Sequence, residues 1–406
     1  MQNNNTTSKK QNFFVTAIGI YICYAVLSMA QIIISQYSSF FQNSWQTDLH
    51  GISTVISMMG IGRILTILFA GYFSDKLGRK PVLLIGMVCT VIFFIGLIIS
   101  TNVIMACIFS LFLGFTNSFG DSAAYPALSE AFPAKSASMN SLVKAAMSLA
   151  QFVLPFVVAS IPNAKITLWL LVAMIIIDIL IVIFSKFAPQ SNQKVSNDNS
   201  QEPEVTASTT RLTPSMHVDG AALIVLGFTI SFTFYVYTQY IPNFGTAVLG
   251  LNQNTAASLM SWYAIFSLVS VFVTSVLVTK VKPILLVILY PLISVIFLIA
   301  LVIAPSPALA KITSAVIGFF AAGGVWQLGL AVLTKYFPQE KGRVTGYYSF
   351  SAALTYFVGP FVSSFIINST AGSVLKVFWI DIVFTIIGVS LAAFVEIRNR
   401  KYKFFD

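Results

Sequence analysis

Five ionisable side chains stand inside long apolar runs of this 406-residue sequence: Arg63, Asp121, Lys144, Asp178 and Asp381. A charge at the centre of a hydrocarbon layer costs about 2.5–3.5 kcal/mol on insertion scales. Such groups therefore face a cavity or a partner, and they mark paths for ions or solutes. Polar residues recur near them at helical spacing. Tyr21, Tyr24, Ser28, Gln31 and Ser35 follow at steps of 3, 4, 3 and 4, and Asn140, Lys144, Ser148, Gln151 and Pro155 at 4, 4, 3 and 4. Each set falls on one helix face. Shorter stripes are Asn117, Asp121 and Tyr125, and Ser231, Tyr235 and Gln239. Trp262, Tyr263, Trp326, Gln327 and Tyr356 add indole, hydroxyl and amide groups. Amides, hydroxyls, aromatic rings, two cations and one acid suit the binding of a small polar molecule. An enzyme needs a nucleophile–base or metal constellation, and none has usable spacing. Cys23, Cys89 and Cys107 all lie in apolar runs, and His50 and His217 are far apart. Neither a disulfide framework nor a metal site is expected, for want of soft ligands at usable spacing, and no cofactor is expected. No G-x-x-x-x-G-K-[ST] loop for nucleotide phosphates is present.

The elements that carry these residues follow from composition. Hydrophobic residues make up 57% and charged residues 9%, against about 25% charged in a soluble domain. Mean hydropathy is +0.86. These numbers exclude a soluble enzyme, a nucleic-acid binder and a disordered chain. A membrane-spanning helix needs about 20 mostly apolar residues. Twelve such runs are legible: 12–40, 50–74, 81–100, 104–130, 138–162, 166–187, 218–245, 254–279, 283–304, 308–336, 344–369 and 374–397. The fold class expected is an all-α membrane protein with twelve spans. The segment 188–217 is rich in Ser, Asn, Gln and Thr and reads as a flexible linker. It divides the chain into a six-helix half at 1–187 and another at 218–406. The first apolar run is longer than a signal-peptide core of about 7–15 residues and is expected to remain as the first span.

The +10 net charge is a topology signal. With the N-terminus inside, 18 of the 23 basic residues fall on inner segments, and only Lys165, Lys311 and Lys376 on outer loops. Cytoplasmic loops are enriched in Lys and Arg, so both termini are expected in the cytoplasm of a plasma-membrane protein. The halves also look like a repeat. Phe132-Pro133 recurs 205 residues later as Phe337-Pro338, and Leu154-Pro155-Phe156-Val157 as Gly359-Pro360-Phe361-Val362. Lys80-Pro81 has a counterpart in Lys282-Pro283, and Gln36-Tyr37 in Gln239-Tyr240. Two six-helix halves with a binding site between them are a recurrent transporter plan.

Between the second and third spans stands Gly71-Tyr72-Phe73-Ser74-Asp75-Lys76-Leu77-Gly78-Arg79-Lys80. It resembles the loop signature G-x-x-x-D-[RK]-x-G-[RK]-[RK] of the major facilitator superfamily at every specified position. Each residue type has a rationale. Gly71 permits close helix approach, Asp75 suits the free donors of a helix N-terminus, and Gly78 permits a tight turn. Arg79 needs a carboxylate, for which Glu130 at the inner end of the fourth span is the candidate. The resemblance implies two pseudo-symmetric six-helix bundles and a loop that stabilises one conformation and gates the change to the other. It also implies a central cavity lined by spans 1, 4, 5, 7, 8, 10 and 11, and a monomer. Sugar-porter motifs after the sixth and twelfth spans are missing, as is the glycine ladder of drug–proton antiporters. The fourth span carries Asp121 where many relatives have an arginine.

The expected function is secondary active transport by alternating access. The substrate would be a small polar solute, polyhydroxylated or carboxylated, taken up with protons. Tyr24, Gln31, Arg63, Asn117, Lys144, Gln151, Tyr235, Gln239, Tyr263, Trp326, Gln327 and Tyr356 are the candidate contacts, and Asp121 is the candidate proton carrier. Efflux of amphipathic drugs is the competing transporter reading, since 36 Phe and 11 Met would suit a greasy pocket. Each residue also has a plainer reading. Arg63 and Asp121 also read as a structural ion pair, Lys144 as snorkelling to the interface, and Asp178 and Asp381 as structural groups. The expected partners are a small solute, protons and membrane lipid, with no nucleic acid.

Overall fold

A computed structural model describes residues 13–189, 214–338, 341–368 and 370–402. The linker expected at 188–217 lies largely outside the described residues, as does the polar N-terminal stretch. Among the described residues there are fourteen α-helices and no strand. The first half holds α1 (Phe14–Gln36), α2 (Ser38–Trp45), α3 (Leu49–Leu77), α4 (Arg79–Ile99), α5 (Val103–Ala131), α6 (Ser136–Ser160) and α7 (Ala164–Phe184). The second holds α8 (Ala221–Ala247), α9 (Gln253–Leu277), α10 (Pro283–Ile303), α11 (Pro307–Val316), α12 (Val325–Tyr336), α13 (Lys341–Ser364) and α14 (Ala371–Tyr402). Eleven stretches of the described chain are long and apolar enough to cross a membrane, with α11 and α12 forming one of them. The one expected span outside this set, the eleventh at 344–369, corresponds to α13, where Tyr347, Tyr348, Ser349, Ser351 and Thr355 lower the hydropathy. Two six-helix bundles result, with both described chain ends at the same end of the molecule.

Helix starts at the opposite end are well capped. The side chains of Asp48, Asn102, Asn163, Asn252 and Ser306 accept backbone N–H bonds at the starts of α3, α5, α7, α9 and α11. Each satisfies donors that a helix start would otherwise leave free. Small residues then let helices approach closely. A Cβ at Gly62 would lie 2.1 Å from the Leu111 carbonyl oxygen, and one at Gly114 2.2 Å from that of Met59. This backbone contact between α3 and α5 sets Arg63 beside the Asp121 segment.

Two spans differ from the continuous helices expected. The first run breaks at Tyr37 and resumes as α2, and the Tyr37 hydroxyl is held by the Ile161 carbonyl and the Thr167 hydroxyl, each at 2.7 Å. The tenth span is broken outright. A wide turn at Ile317–Ala322 follows α11, and Gly324 sits at φ 113 before α12 begins. That backbone region favours glycine. The Ser270 hydroxyl of α9 lies 2.6 Å from the Phe319 carbonyl and 3.0 Å from that of Gly323, sharing its one proton between groups that the break frees. The pair Gly323-Gly324 is therefore a helix break as well as a close-packing site.

Asp178 and Asp381 are fully buried in α7 and α14, and neither carboxyl oxygen has a hydrogen-bond partner. A carboxyl group without a partner in such surroundings costs several kcal/mol if charged. Asn preserves shape without a charge. Asp178→Asn and Asp381→Asn are each expected to cost less than about 1 kcal/mol of stability by thermal unfolding. A larger loss would mean that the charge is used.

The two halves meet mainly at the end away from the chain ends. Ser35 donates to the Gln239 carbonyl (2.6 Å), Gln239 to that of Gln31 (3.1 Å) and Gln253 to that of Gln36 (3.1 Å). The hydroxyl of Tyr240 donates to Ser53 (2.9 Å), and the His50 ring contacts the Ser364 carbonyl. A Cβ on Gly60 would come within 2.1 Å of the Phe357 nitrogen. At the opposite end Tyr72, Leu77, Phe272 and Tyr347 are exposed. The close approach expected at Gly71 is absent, because a Cβ there would meet nothing within 4 Å. The halves diverge at that end, leaving Gly71 without a neighbour.

Candidate functional site

The polar stripes converge on one ion pair. Arg63 Nη2 lies 3.0 Å from Asp121 Oδ2, and the Tyr24 hydroxyl donates to Asp121 Oδ1 at 2.8 Å. The guanidinium also lies over the Tyr356 ring, 4.5 Å from its centroid, a favourable cation–π arrangement. Tyr356 in turn packs on Tyr235, ring centroids 4.3 Å apart. Four helices, α1, α3, α5 and α13, thus meet at Arg63, and α8 joins through Tyr235. The Asp121 side chain is 38% accessible although it stands deep within α5. Solvent space therefore reaches the acid, while Arg63 beside it is 14% accessible, with its Nε unpartnered.

A second set lies toward the closed end. Gln31 donates to Asn117 Oδ1 at 2.8 Å, and Asn117 donates to the Leu113 carbonyl at 2.9 Å. Gln239 is buried, with Oε1 unpartnered. Tyr263 is buried and faces Tyr237 with centroids 6.4 Å apart. On α6, Lys144 is half-buried about two turns from the helix start at the open end, and Gln151, nearer the closed end, is buried. The stripe they share faces the other half, since Ser148 lies 3.4 Å from Ser267 on α9. Lys144 has no ion-pair partner among the described residues. Trp326 and Gln327 stand apart from this group. Trp326 packs on Tyr348 in the core of the second half, and Gln327 is exposed on α12. The broken tenth span carries both away from the Arg63 cluster.

Several contributors lie on no polar stripe. Ser118 donates to the Arg63 carbonyl (3.0 Å), and the Met59 sulfur receives the Tyr235 hydroxyl (3.8 Å). Ser53, Ser267 and His50 join the halves at single points. Isolated small polar residues of this kind carry no periodic signal.

The Asp75 loop forms a compact ionic cluster. Arg79 reaches Glu130 at 3.1 Å, Asp75 at 2.7 Å and the Ser74 hydroxyl at 2.8 Å. Ser74 donates to the Ser122 carbonyl on α5 at 2.7 Å. Gly78 adopts φ 98 between α3 and α4. Lys80 donates to the carbonyls of Ile183 (2.6 Å) and Ser185 (3.0 Å), at the end of α7, where a cation is favoured. Asp75 at the end of α3 pairs with Arg79 at the start of α4 across the Gly78 turn, with 74% of its side chain accessible. Arg79 and Glu130 are 14% and 12% accessible, so their bond is poorly screened. A double-mutant cycle with Arg79→Gln and Glu130→Gln is expected to give a coupling of about 1.5–3 kcal/mol in thermal unfolding. Additive losses would make the contact incidental.

Comparisons with known proteins agree with this architecture. The family model described as Major Facilitator Superfamily matches residues 20–320. The inner membrane transport protein YdiM of Escherichia coli (strain K12) is 34% identical over 401 residues, covering 97% of this chain and 96% of that protein. The uncharacterized MFS-type transporter YfkL of Bacillus subtilis (strain 168) is also 34% identical, covering 95% and 97%. Among solved structures, a D-xylose–proton symporter superposes with TM-score 0.74 at 15% identity, covering 95% and 97% of the two chains. The nucleoside transporter NupG gives 0.74 at 12% identity, covering 94% and 99%. At such identities the structural likeness speaks for the fold alone. The loop cluster, the paired bundles and near-full-length relatives together make this chain an integral membrane transport protein, not an enzyme, and it belongs to the major facilitator superfamily.

Proposed function

We propose that this protein carries a small polar solute, polyhydroxylated or carboxylated, by proton-coupled symport through alternating access. One observation carries the reading. Asp121 is open to solvent space inside the bundle while bonded to both Arg63 and Tyr24. An acid so placed exchanges protons with the cavity, and its partner cation offers the solute a donor. Lys144, without an ion-pair partner among the described residues and on the α6 face that meets the other half, favours a solute bearing a carboxylate. The Tyr235–Tyr356 pair supplies a stacking surface, and Gln31, Asn117 and Gln151 supply amides. With the termini cytoplasmic, as the basic residues argue, the described conformation opens inward. The cluster of Arg79, Asp75 and Glu130 then acts within the first half and tunes the passage between inward and outward states. The protein works in the plasma membrane as a monomer.

The test is uptake into proteoliposomes with an imposed pH gradient, over a panel of sugars, organic acids and cationic dyes. Concentrative uptake of a polar solute that stops when the gradient is collapsed is the expected result. Uptake indifferent to the gradient would remove the proton coupling. Extrusion of dyes with no solute uptake would replace this reading by drug efflux.

A further inference from the structure

A groove of about 610 Å³ runs between α9 and α11 on the outer face of the second half, away from the Arg63 cluster. Its walls are apolar: Trp262 and Phe266 on α9, Ile312 and Ala315 on α11, and Phe319 and Phe320 on the wide turn below. Trp262 is 44% and Ile312 51% exposed. In a membrane protein this face meets lipid, and no protein element covers the groove among the described residues. One charged side chain lines it. Lys311 sits in the second turn of α11, at the end of the molecule where that helix begins. It has no ion-pair partner among the described residues.

Length and charge point to an occupant. From Ala308 to Phe320 the helical rise spans roughly 18 Å, close to the depth of one leaflet of a hydrocarbon core about 30 Å thick. An apolar channel of one-leaflet depth with a cation at its interfacial mouth matches a single acyl chain with a phosphate above it. The floor is the unusual part. Phe319 and Phe320 belong to the turn that breaks the tenth span, and the Phe319 carbonyl is held by Ser270. A Cβ at Gly318, on the inner side of that turn, would lie 2.1 Å from the Tyr263 carbonyl oxygen. Whatever fills the groove therefore presses on the segment packed behind Tyr263.

We propose that this groove is a binding site for an anionic phospholipid, with one acyl chain along α11 and the phosphate at Lys311, and that occupancy steadies the broken tenth span. The inference is independent of the solute assigned to the central cavity.

Native mass spectrometry and thermal unfolding of the purified full chain, titrated with phosphatidylglycerol or phosphatidylcholine, test it. Lys311→Glu changes an exposed position and leaves packing intact. Ala315→Trp fills the channel. The wild type is expected to retain one phosphatidylglycerol in preference to phosphatidylcholine, and its unfolding temperature should rise by several degrees with the anionic lipid, as ligand linkage requires. Lys311→Glu should remove the preference for the anionic headgroup, and Ala315→Trp should abolish the thermal shift. An equal response to both lipids in the wild type would overturn the headgroup assignment. Retention and thermal shift unchanged in both variants would overturn the site.

Discussion

Asp121→Asn is expected to abolish gradient-driven accumulation while sparing exchange of solute across the membrane. The side chain makes two bonds, to Tyr24 at 2.8 Å and to Arg63 at 3.0 Å. Asn retains an acceptor for Tyr24, so the α1–α5 contact survives. Arg63 keeps its place over Tyr356 and still offers donors to a solute. What is lost is the one group of the cluster that can alternately hold and release a proton. With an imposed gradient of one pH unit, a one-proton symporter concentrates a neutral solute about tenfold, equivalent to about 1.4 kcal/mol. The variant should bring that ratio to about 1, while counterflow of labelled against unlabelled solute continues. Accumulation that survives in the variant would move the coupling to another residue.

Gly60→Val should shift the protein out of the conformation described. The groups that a Cβ would strike are backbone: the Phe357 nitrogen at 2.1 Å and the Tyr356 carbonyl carbon at 2.3 Å. Backbone cannot swing aside as a flexible side chain can, so α3 and α13 must separate. The contact joins the two halves at their closed end, and separation there is the motion that opens the other face. We expect the closed-end population to fall at least tenfold relative to its alternative, a bias of about 1.4 kcal/mol or more. Spin labels on Asn43 and Asn254, exposed positions on α2 and α9, would report a longer distance between the halves, and transport would slow. Gly346→Val is the control, since a Cβ at that position meets nothing within 4 Å. Unchanged distances and rates in Gly60→Val would mean that the contact is not a closure point.

The legible part of the site is the part written periodically. Tyr24, Gln31, Asn117, Asp121, Tyr235 and Gln239 were recognisable because a helix face repeats every three or four residues. Their pairing was not. Arg63 and Asp121 are 58 residues apart, and no spacing rule joins them. Their meeting depends on Gly62 and Gly114, where backbone packs against backbone. Trp326 and Gln327 illustrate the opposite case. They lie on a span that reads as helical throughout, yet the break at Gly323-Gly324 sends them elsewhere. Two adjacent glycines permit either a close contact or a broken helix, and only packing against Ser270 selects between them.

Composition and hydropathy by themselves determined that the chain spans a membrane, that it is helical and that its spans number twelve. The reason is that hydrocarbon demands apolar surface and internally bonded backbone, which constrain the sequence locally. The ten-residue loop from Gly71 to Lys80 carried the family, because its turn and charges serve neighbouring helix ends. Tertiary structure alone decided which end of the bundle is closed, that Gly71 faces open space, and that Arg63 lies between Asp121 and Tyr356. Those outcomes rest on contacts between segments far apart in the chain and between the two halves. Such contacts depend on the shape of both surfaces at once, and no single segment encodes them.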